Sequence, residues 1–342
     1  MKGAAPPRRT TRRRPTASRG PDHSPAARSR SGTTGETPMS LDIRPVTGRI
    51  GAIVSGVRLT DLDEAQFAEL QQAVLKYKAL FLRDQHLTDA EQEAFSRRFG
   101  DLVVHPTTPT EQNTAGILEV DSERSRANSW HTDISFVVDY PKITILRGEV
   151  IPEAGGDTVF ANTVTAYQEL PEPLQRLADS LWVRHTNDYD YAAPKQIEVV
   201  ANKRFREQFT STIYESEHPL VRVHPETGEK ALLLGHFAER IVGLNSRDSR
   251  ALLDLFQSHI VKLENIVRWR WSEGDVALWD NRATQHIAID DYGNARRIVR
   301  RTTVLGEIPV SVGGESSRAI KPSPESRIPR SEEDKVALKK AG

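Results

Sequence analysis

Apolar side chains recur at helical spacing in the first third of the chain. Phe67, Leu70 and Val74 lie three and four residues apart, which predicts a helix with one apolar face. Thr88 and Glu91 have the spacing of a capping box and predict the start of a second helix, which ends near Gly100. Two more helices are predicted, one over Pro173–Leu181 and one capped by Ser246.

Shorter runs of β-branched, aromatic and other apolar residues predict strands between and after these helices. Ile266–Trp271 and Asp275–Trp279 are interpreted as adjacent strands joined through Ser272-Glu273-Gly274, with their tryptophans in the core. Many short strands with intervening helices predict a mixed α and β fold. The remaining predicted strands are Arg49–Val54, Val57–Leu59, Ile143–Val150, Thr158–Ala161 and Arg296–Glu307.

Composition narrows the classes of protein. With 342 residues, 37% of them hydrophobic, the chain can bury one large core, and we expect a single main domain. The formal net charge is zero, so no global field favours nucleic acid or a membrane surface. The absence of cysteine excludes disulfides and thiolate metal ligands and is compatible with the reducing cytoplasm, where we expect the protein. No apolar run approaches the roughly 20 residues of a membrane span.

The two ends of the chain differ in composition from the centre. Residues 1–38 carry nine Lys and Arg but only two acids, and they predict a disordered basic extension before a domain over residues 39–310. Three interpretations remain open: a start codon assigned upstream of a true first residue Met39, a transit-like peptide, or a basic arm for nucleic acid. Residues 311–342 are polar and are interpreted as a C-terminal tail.

One pair of residues has the spacing of metal ligands. His131 and Asp133 are two residues apart, which on a β-strand would put both side chains on one face. With His286 as a third ligand they make the two-histidine, one-carboxylate set of non-haem Fe(II) oxygenases. The spacing alone is weak, since His224 and Glu226 repeat it; their Pro-Glu-Thr-Gly context predicts a turn that would not hold both groups on one rigid face.

Two arginines follow His286 on a predicted strand. Arg297 and Arg301 are four residues apart and therefore share a face, where two guanidinium groups can bind carboxylates or sulfates through paired hydrogen bonds. The alternative is a solvated basic face, because two further arginines lie in the same stretch. The spacing does not decide between these interpretations.

Taken together, these motifs resemble the Fe(II)- and 2-oxoglutarate-dependent dioxygenases of the TauD/TfdA family. The resemblance spans about Ile43 to Pro309 and rests on Trp130-His131-Thr132-Asp133, Gly155-Gly156-Asp157-Thr158, Trp279-Asp280-Asn281-Arg282 with His286, and the arginine pair. Within the family the chain is most similar to bacterial alkylsulfatases, and this likeness is carried by residues 167–174, 221–228 and 282–286.

The resemblance implies an α+β fold with a double-stranded β-helix, or jelly-roll, core and flanking helices. It implies that Fe(II) is held by His131, Asp133 and His286, with O2 and 2-oxoglutarate as co-substrates. By the same resemblance, Thr158 and Arg297 bind the distal carboxylate of 2-oxoglutarate, and Arg301 lies nearer the iron and contributes to both ligands.

For the substrate, the resemblance implies an anion site formed by His105, the backbone at Ile134, and Arg301. Thr108 stands where the taurine enzyme has a tyrosine, and the smaller side chain leaves more room for an alkyl chain. The implied reaction hydroxylates the sulfate-bearing carbon of an alkyl sulfate and releases aldehyde, inorganic sulfate, succinate and CO2. The alternative substrates are taurine, another alkanesulfonate or another small acid. A long segment, Asp188–Glu217, is expected to help cover the substrate.

Two interpretations from other classes remain. The three ligands can hold Zn(II) for hydrolysis, or the chain can be a non-catalytic jelly-roll binding module. Both are disfavoured by the arginine pair and Thr158, since neither needs a 2-oxoglutarate site. We expect a small-molecule alkyl sulfate or sulfonate as partner, no nucleic acid or membrane, and a homodimer or homotetramer, as is common in the family.

Overall fold

The computed structural model describes residues 40–124, 127–188 and 207–341. The predicted basic extension, residues 1–38, lies outside the described residues, as does the central part of the predicted substrate cover, residues 189–206. The described residues show a mixed α and β fold in which almost all strand pairs are antiparallel. The strands Ala52–Ser55 and Ala79–Leu82 form the parallel pair.

Eighteen strands and six α-helices occur in the described part of the chain. The helices are α1 Glu64–Tyr77, α2 Asp89–Arg97, α3 Thr163–Gln168, α4 Glu172–Asp179, α5 Ser246–Ile260 and α6 Glu332–Ala341. The strands are β1 Asp42–Pro45, β2 Ala52–Ser55, β3 Ala79–Leu82, β4 Leu102–Val103, β5 Leu118–Asp121, β6 Ile143–Val150, β7 Thr158–Asn162, β8 Trp182–Thr186, β9 Glu215–Pro219, β10 Val221–Val223, β11 Lys230–Leu232, β12 Ala238–Ile241, β13 Ile266–Trp269, β14 Val276–Asp280, β15 Thr284–Ala288, β16 Ile298–Val304, β17 Val310–Ser311 and β18 Arg318–Lys321.

A large sheet of eight strands forms the centre of the fold. Its order is β1-β2-β3-β14-β6-β16-β4, with β5 also paired to β16. Three smaller sheets have the orders β13-β7-β15, β12-β8-β9-β18 and β11-β10-β17. The metal-ligand candidates lie where β15, of the first small sheet, approaches the end of β14 in the large one.

The alternation of side chains along β14 explains the layers on the two faces of the large sheet. Val276 and Leu278 pack with the apolar faces of α1 and α2. Ala277 and Trp279 point to the opposite side, where they pack with Phe160 of β7 and with β13. Because successive side chains on a strand point to opposite faces, one apolar strand at the centre of the sheet supports both layers.

The helix starts follow from local capping. The predicted capping box of α2 is confirmed: Glu91 N donates to Thr88 Oγ1 at 3.2 Å, and Thr88 N donates to the Glu91 carboxylate at 2.7 Å. The cap of α5 is Asn245, one residue before the predicted Ser246, because the Asn245 side chain accepts from Asp248 N at 2.9 Å. No helix in the described residues combines the length and apolar composition that crossing a bilayer requires.

Two sequence expectations about strands are wrong. The stretch Val57–Leu59 forms no strand; it leads into a 3-10 turn at Leu59–Asp61. The strands on either side of Ser272-Glu273-Gly274 do not pair with each other, since β13 pairs with β7 and β14 pairs with β3 and β6. The turn therefore crosses between two sheets, which a local pattern does not distinguish from a hairpin.

The expected polar tail also differs from the structure. β17 pairs with β10, and β18 pairs with β9. Further on, Ile328 is buried in an apolar cluster that contains Phe136, Phe209 and Phe237. A few apolar residues spaced far apart are enough to anchor a chain that is polar on average, so composition alone missed this packing.

Candidate active site

The three predicted metal ligands lie together and are buried. Asp133 Oδ1 is 3.6 Å from His131 Nε2 and 3.9 Å from His286 Nε2. One ligand atom from each of the three residues lies within 4.8 Å of the other two. His286 belongs to β15, but His131 and Asp133 lie in a loop, not on the expected strand. Two backbone hydrogen bonds between His131 and His286, at 2.9 and 3.0 Å, hold that loop against β15.

Hydrogen bonds orient the side chains of His131 and Asp133, whereas one ring nitrogen of His286 has no hydrogen-bond partner among the described residues. His131 Nδ1 donates to the carbonyl of Ser129 at 2.8 Å, which leaves Nε2, on the side of Asp133, as the ring nitrogen available to a cation. Thr144 donates its hydroxyl to Asp133 Oδ2 at 2.9 Å. The buried Nδ1 of His286 has no hydrogen-bond partner among the described residues.

The backbone of Asp133 is held by Asn281, the residue that follows β14. Asn281 Oδ1 accepts from Asp133 N at 2.9 Å, and Asn281 Nδ2 donates to the carbonyls of Asp133 and Pro141 at 3.1 and 2.9 Å. Asn281 is 1% exposed. One amide side chain therefore fixes both peptide groups of the candidate ligand to the end of the central strand.

The charges of His131, Asp133 and His286, here called the trio, suit a divalent cation. Burial alone would raise the pKa of the Asp133 carboxyl, but the positive charge of Arg301 and the two imidazoles outweigh it and hold the pKa well below its usual range. Burial, with the neighbouring His131, lowers the pKa of His286 to about 3, so this imidazole is neutral at pH 7. Two imidazoles and one carboxylate fit Fe(II) by the chemistry of the donor set.

A narrow cavity beside the trio contains the predicted 2-oxoglutarate residues. Arg297 is buried, and its Nε donates to the Gly156 carbonyl at 2.9 Å while Nη2 lies 3.4 Å from Thr158 Oγ1. Trp271 Nε1 donates to the same threonine hydroxyl at 2.9 Å. The cavity is lined by these two predicted residues together with His131, Leu146, Trp279, His286, Tyr292, Val299 and Arg301.

Arg301 lies between this cavity and a second one. Its Nη1 donates to Asp133 Oδ1 at 2.6 Å, and the side chain is 13% exposed. It lines both cavities. The structure therefore places Arg301, in β16, nearer the trio than Arg297, which directly precedes that strand.

The second cavity, of about 200 Å³, lies on the other side of His131 and Asp133. Its polar wall includes His105, Thr108 and Arg301, and its lining also contains the charged residues Glu111, Glu119, Asp121 and Arg124. Its apolar wall is formed by Pro109, Leu118, Val120, Ile134, Phe209 and Phe237. A cavity that combines an arginine and a histidine donor beside Asp133 with an apolar wall suits an anion with a hydrocarbon chain.

His105 and Ile134 have the local geometry of anion-site residues. Burial and the positive charges of Arg301 and Lys335 hold the pKa of His105 well below its usual range, so the ring is neutral. Its Nδ1 accepts from Thr108 N at 3.1 Å, which leaves the proton on Nε2, a donor. Ile134 has a φ of 55°, an uncommon conformation for a β-branched residue, directly after Asp133.

The histidine set aside at the sequence level is a structural residue. His224 begins the predicted turn and is buried, with Nε2 2.8 Å from Asp280 Oδ2. Asp280 also accepts from Arg282 at 2.9 Å through both carboxylate oxygens. This buried cluster connects the Trp-Asp-Asn-Arg motif, which contains Asn281, to His224 at the end of β10.

Several residues of the site have no role in the sequence interpretation. Asn281 and Trp271 hold Asp133 and Thr158, and Tyr292, Phe209 and Phe237 line the two cavities. The only available signal was the position of Asn281 in a motif at the end of an apolar strand. Trp271 was interpreted as core; it is buried as expected, but its indole N–H also has a specific acceptor.

Comparisons with known proteins agree with this geometry. Residues 42–303 match the model of the family described as "Taurine catabolism dioxygenase TauD, TfdA family". The chain is 54% identical to an "Alpha-ketoglutarate-dependent sulfate ester dioxygenase" of Pseudomonas putida over 83% of this chain and 95% of that protein. It is 51% identical to an "Alkylsulfatase" of Acinetobacter baylyi over 82% of this chain and 90% of that protein.

A solved structure extends the likeness to three dimensions. The crystal structure of a taurine dioxygenase from Burkholderia xenovorans superimposes with a TM-score of 0.70 at 35% identity, over 83% of this chain and 97% of that one. The family match covers the three clustered ligands and both Arg297 and Arg301. The chain therefore belongs to the taurine catabolism dioxygenase TauD, TfdA family.

Proposed function

We propose that this protein is an Fe(II)- and 2-oxoglutarate-dependent dioxygenase that hydroxylates the sulfate-bearing carbon of alkyl sulfates. The products are an aldehyde, inorganic sulfate, succinate and CO2. The observation that carries the proposal is the meeting of two different cavities at one buried trio of ligands. One cavity offers an arginine and a threonine to a carboxylate, and the other offers donors for an anion and an apolar wall.

His131, Asp133 and His286 would hold the iron. Bound there, Fe(II) supplies, with O2 and 2-oxoglutarate, the oxidising power that no amino-acid side chain provides. The chain's own part is to keep the three ligands unprotonated, orient them and exclude water. His131 is oriented through Ser129, and Asp133 through Thr144 and Asn281.

The 2-oxoglutarate side follows from Arg297 and Thr158. The Arg297 guanidinium is buried, stays charged at all accessible pH values, and uses Nε on the Gly156 carbonyl. Its remaining N–H groups and the Thr158 hydroxyl can bind the distal carboxylate of 2-oxoglutarate. Trp271, which donates to Thr158, aligns that hydroxyl.

The sulfate side follows from His105, Arg301 and the backbone at Ile134. A neutral histidine that donates from Nε2 and an adjacent guanidinium match the acceptor oxygens of a sulfate group. The alkyl chain would lie against Phe209 and Phe237, so the carbon that bears the sulfate is the one nearest the trio.

Product release follows from ordinary carbonyl chemistry. Hydroxylation replaces one C–H bond of the sulfate-bearing carbon by C–OH. The C–O bond to sulfate then breaks as the hydroxyl proton leaves and the C=O bond forms. Aldehyde and sulfate are released, while one oxygen atom of O2 enters the hydroxyl and the other enters succinate.

Three further features belong to the same proposal. The core is a double-stranded β-helix, supported by the four mainly antiparallel sheets and by the structural neighbour. The enzyme works in the cytoplasm, as the cysteine-free composition allows. It assembles as a homodimer or homotetramer and acts on small molecules, not on nucleic acid or membranes.

The test is product analysis with purified protein under air. Fe(II), 2-oxoglutarate and a medium-chain alkyl sulfate are mixed, and succinate and inorganic sulfate are measured against taurine and a no-substrate blank. We expect equal amounts of succinate and sulfate from the alkyl sulfate only. As a matched control, Asp133→Ala removes a ligand, whereas Asp290→Ala changes an exposed acid outside both cavities.

Other outcomes separate the alternatives. Succinate at the blank rate with every substrate would reject alkyl sulfates but keep the oxygenase. Sulfate release without 2-oxoglutarate or O2 would indicate a Zn(II) hydrolase at the same ligands. Failure of the anaerobic protein to bind Fe(II) would indicate a binding module, and an unchanged rate in Asp133→Ala would contradict the ligand assignment.

A further inference from the structure

One wall of the alkyl sulfate cavity is an irregular loop. Residues 105–111, here called the wall loop, include His105, Thr108, Pro109, Thr110 and Glu111 among the cavity-lining residues. No residue of this described loop belongs to a helix or strand. Contacts from elsewhere in the fold must therefore hold its shape, since a loop without ladder hydrogen bonds has few of its own.

Glu111 N donates to the Ile117 carbonyl at 2.8 Å, and the other contacts described next come from the C-terminal segment. Glu332, at the start of α6, accepts hydrogen bonds from Thr110 N at 3.0 Å and Thr110 Oγ1 at 3.1 Å. Lys335, one turn later, donates from Nζ to the Thr108 carbonyl at 2.8 Å. The two charged residues also bind each other at 2.8 Å. We call residues 328–335 the C-terminal clasp.

Lys335 is buried to an extent that is rare for a lysine, with 4% of its surface exposed. Removing an ammonium group from water is costly unless it is paired, and Glu332 and the Thr108 carbonyl provide the pairing. Its positive charge also lowers the pKa of His105, which shows that its field reaches the substrate cavity. A buried cation beside an anion site has an electrostatic as well as a structural effect.

The clasp also contacts the loop's other end and the apolar wall. Val104 N, just before the wall loop, donates to the Pro329 carbonyl at 3.0 Å. Ile328 is buried in the cluster that contains Phe209 and Phe237, both of which line the cavity. Its N–H donates to Asp139 Oδ1 at 2.8 Å. The segment thus reaches both the polar and the apolar side of the same cavity.

We propose that the C-terminal clasp sets the affinity of the site for the alkyl sulfate, with Lys335 and Glu332 as positioning residues that hold the wall loop. The identity of the substrate in this inference rests on the proposed function. The clasp lies beyond residue 303, where the family match ends, so the match itself gives it no role.

The KM values for the two ligands of the enzyme should respond differently when the wall loop is loosened. The 2-oxoglutarate cavity is lined by no residue of the wall loop or the clasp among the described residues. Loosening the wall loop should therefore raise the KM for alkyl sulfate and leave the KM for 2-oxoglutarate unchanged. A loss of general stability would instead lower the amount of active enzyme and affect both substrates alike.

The experiment compares Lys335→Met with the wild type. Methionine keeps the apolar stem but removes the charge and the hydrogen bond to Thr108. Hydrogen exchange is measured by mass spectrometry on peptides covering residues 104–112 and 279–286, and KM values are measured for alkyl sulfate and 2-oxoglutarate. Lys335→Arg restores the charge and a donor. Glu333→Gln, an exposed position on the same helix, is the matched control.

We expect faster exchange in residues 104–112 of Lys335→Met and unchanged exchange in residues 279–286. The KM for alkyl sulfate should rise by up to about tenfold, the limit reached when substrate binding must restore the whole of a contact worth about 1.4 kcal/mol. Lys335→Arg should recover most of that change, and Glu333→Gln should match the wild type. Unchanged exchange in residues 104–112, or faster exchange with an unchanged KM for alkyl sulfate, would overturn the inference.

Failure of the proposed function can be distinguished from failure of this inference. If the wild type releases no sulfate from alkyl sulfates, the proposed function fails. Hydrogen exchange then still decides whether Lys335 holds the wall loop, because that measurement needs no substrate.

Discussion

Replacement of Asn281 by alanine gives a sharp test of how the fold positions a metal ligand. The substitution removes three buried hydrogen bonds, two to the peptide groups of Asp133 and one to the Pro141 carbonyl. Each buried group left without a partner costs about 1–3 kcal/mol, so the free energy of unfolding should fall by at least about 3 kcal/mol. The loop carrying Asp133 would also lose its connection to β14.

Asn281→Ala should weaken metal binding more than a substitution elsewhere that lowers the free energy of unfolding by the same amount. Loss of a group that orients a ligand typically weakens metal binding about 10- to 100-fold. Asn265 provides the matched control, because its side chain is equally buried and also makes three hydrogen bonds, to Asn162, Ile260 and Thr165, away from the trio. Asn265→Ala should lower stability similarly without weakening metal binding.

The assay combines urea denaturation with anaerobic titration of Fe(II), or of Co(II) as a spectroscopic substitute. Both variants are kept well below their unfolding midpoints during the titration. If Asn281→Ala binds the metal as tightly as the wild type, Asn281 is not a positioning residue. If Asn265→Ala weakens metal binding to the same degree, the effect comes from general destabilisation.

Three other predictions concern the two cavities and the core. Arg297→Leu should raise the KM for 2-oxoglutarate about tenfold or more in steady-state assays while changing that for alkyl sulfate little, because it removes a buried carboxylate partner; equal changes in both would contradict the separation of the cavities. Phe209→Leu shortens the apolar wall and should raise the kcat/KM ratio of long over short alkyl sulfates, and an unchanged ratio would place the chain elsewhere. Burial lowers the pKa of His218 to about 3. Because the unfolded histidine titrates near 6.5, the free energy of unfolding should be unaffected by this group above that pH. Below it, the free energy of unfolding should fall by up to about 1.4 kcal/mol per pH unit. Denaturation at several pH values should give a smaller slope for His218→Gln than for the wild type.

The sequence was informative where chemistry and local geometry coincide. The clustering of His131, Asp133 and His286 is confirmed, yet the reason given from the residues was wrong, because His131 and Asp133 lie in a loop held by backbone bonds to His286. The family motifs, not the two-residue period, carried that prediction. The capping box of α2 was confirmed because both of its partners lie within four residues.

Long-range packing could not be predicted in this way. Nothing near Trp271 or Lys335 in the chain indicates that one will donate to Thr158 and the other to Thr108. The separation of β13 and β14 into different sheets depends on partners more than 90 residues away, such as β6 and β7. Each of these features is determined by a tertiary neighbour, which the local pattern does not contain.

The position of Arg301 between the two cavities has a thermodynamic consequence. One guanidinium group lines both the cavity proposed for 2-oxoglutarate and the cavity proposed for the sulfate ester. Any change that one ligand makes to the charge or orientation of this group alters the binding free energy of the other. Linkage requires the two effects to be equal, so the factor by which the sulfate ester changes the affinity for 2-oxoglutarate must also describe the reverse.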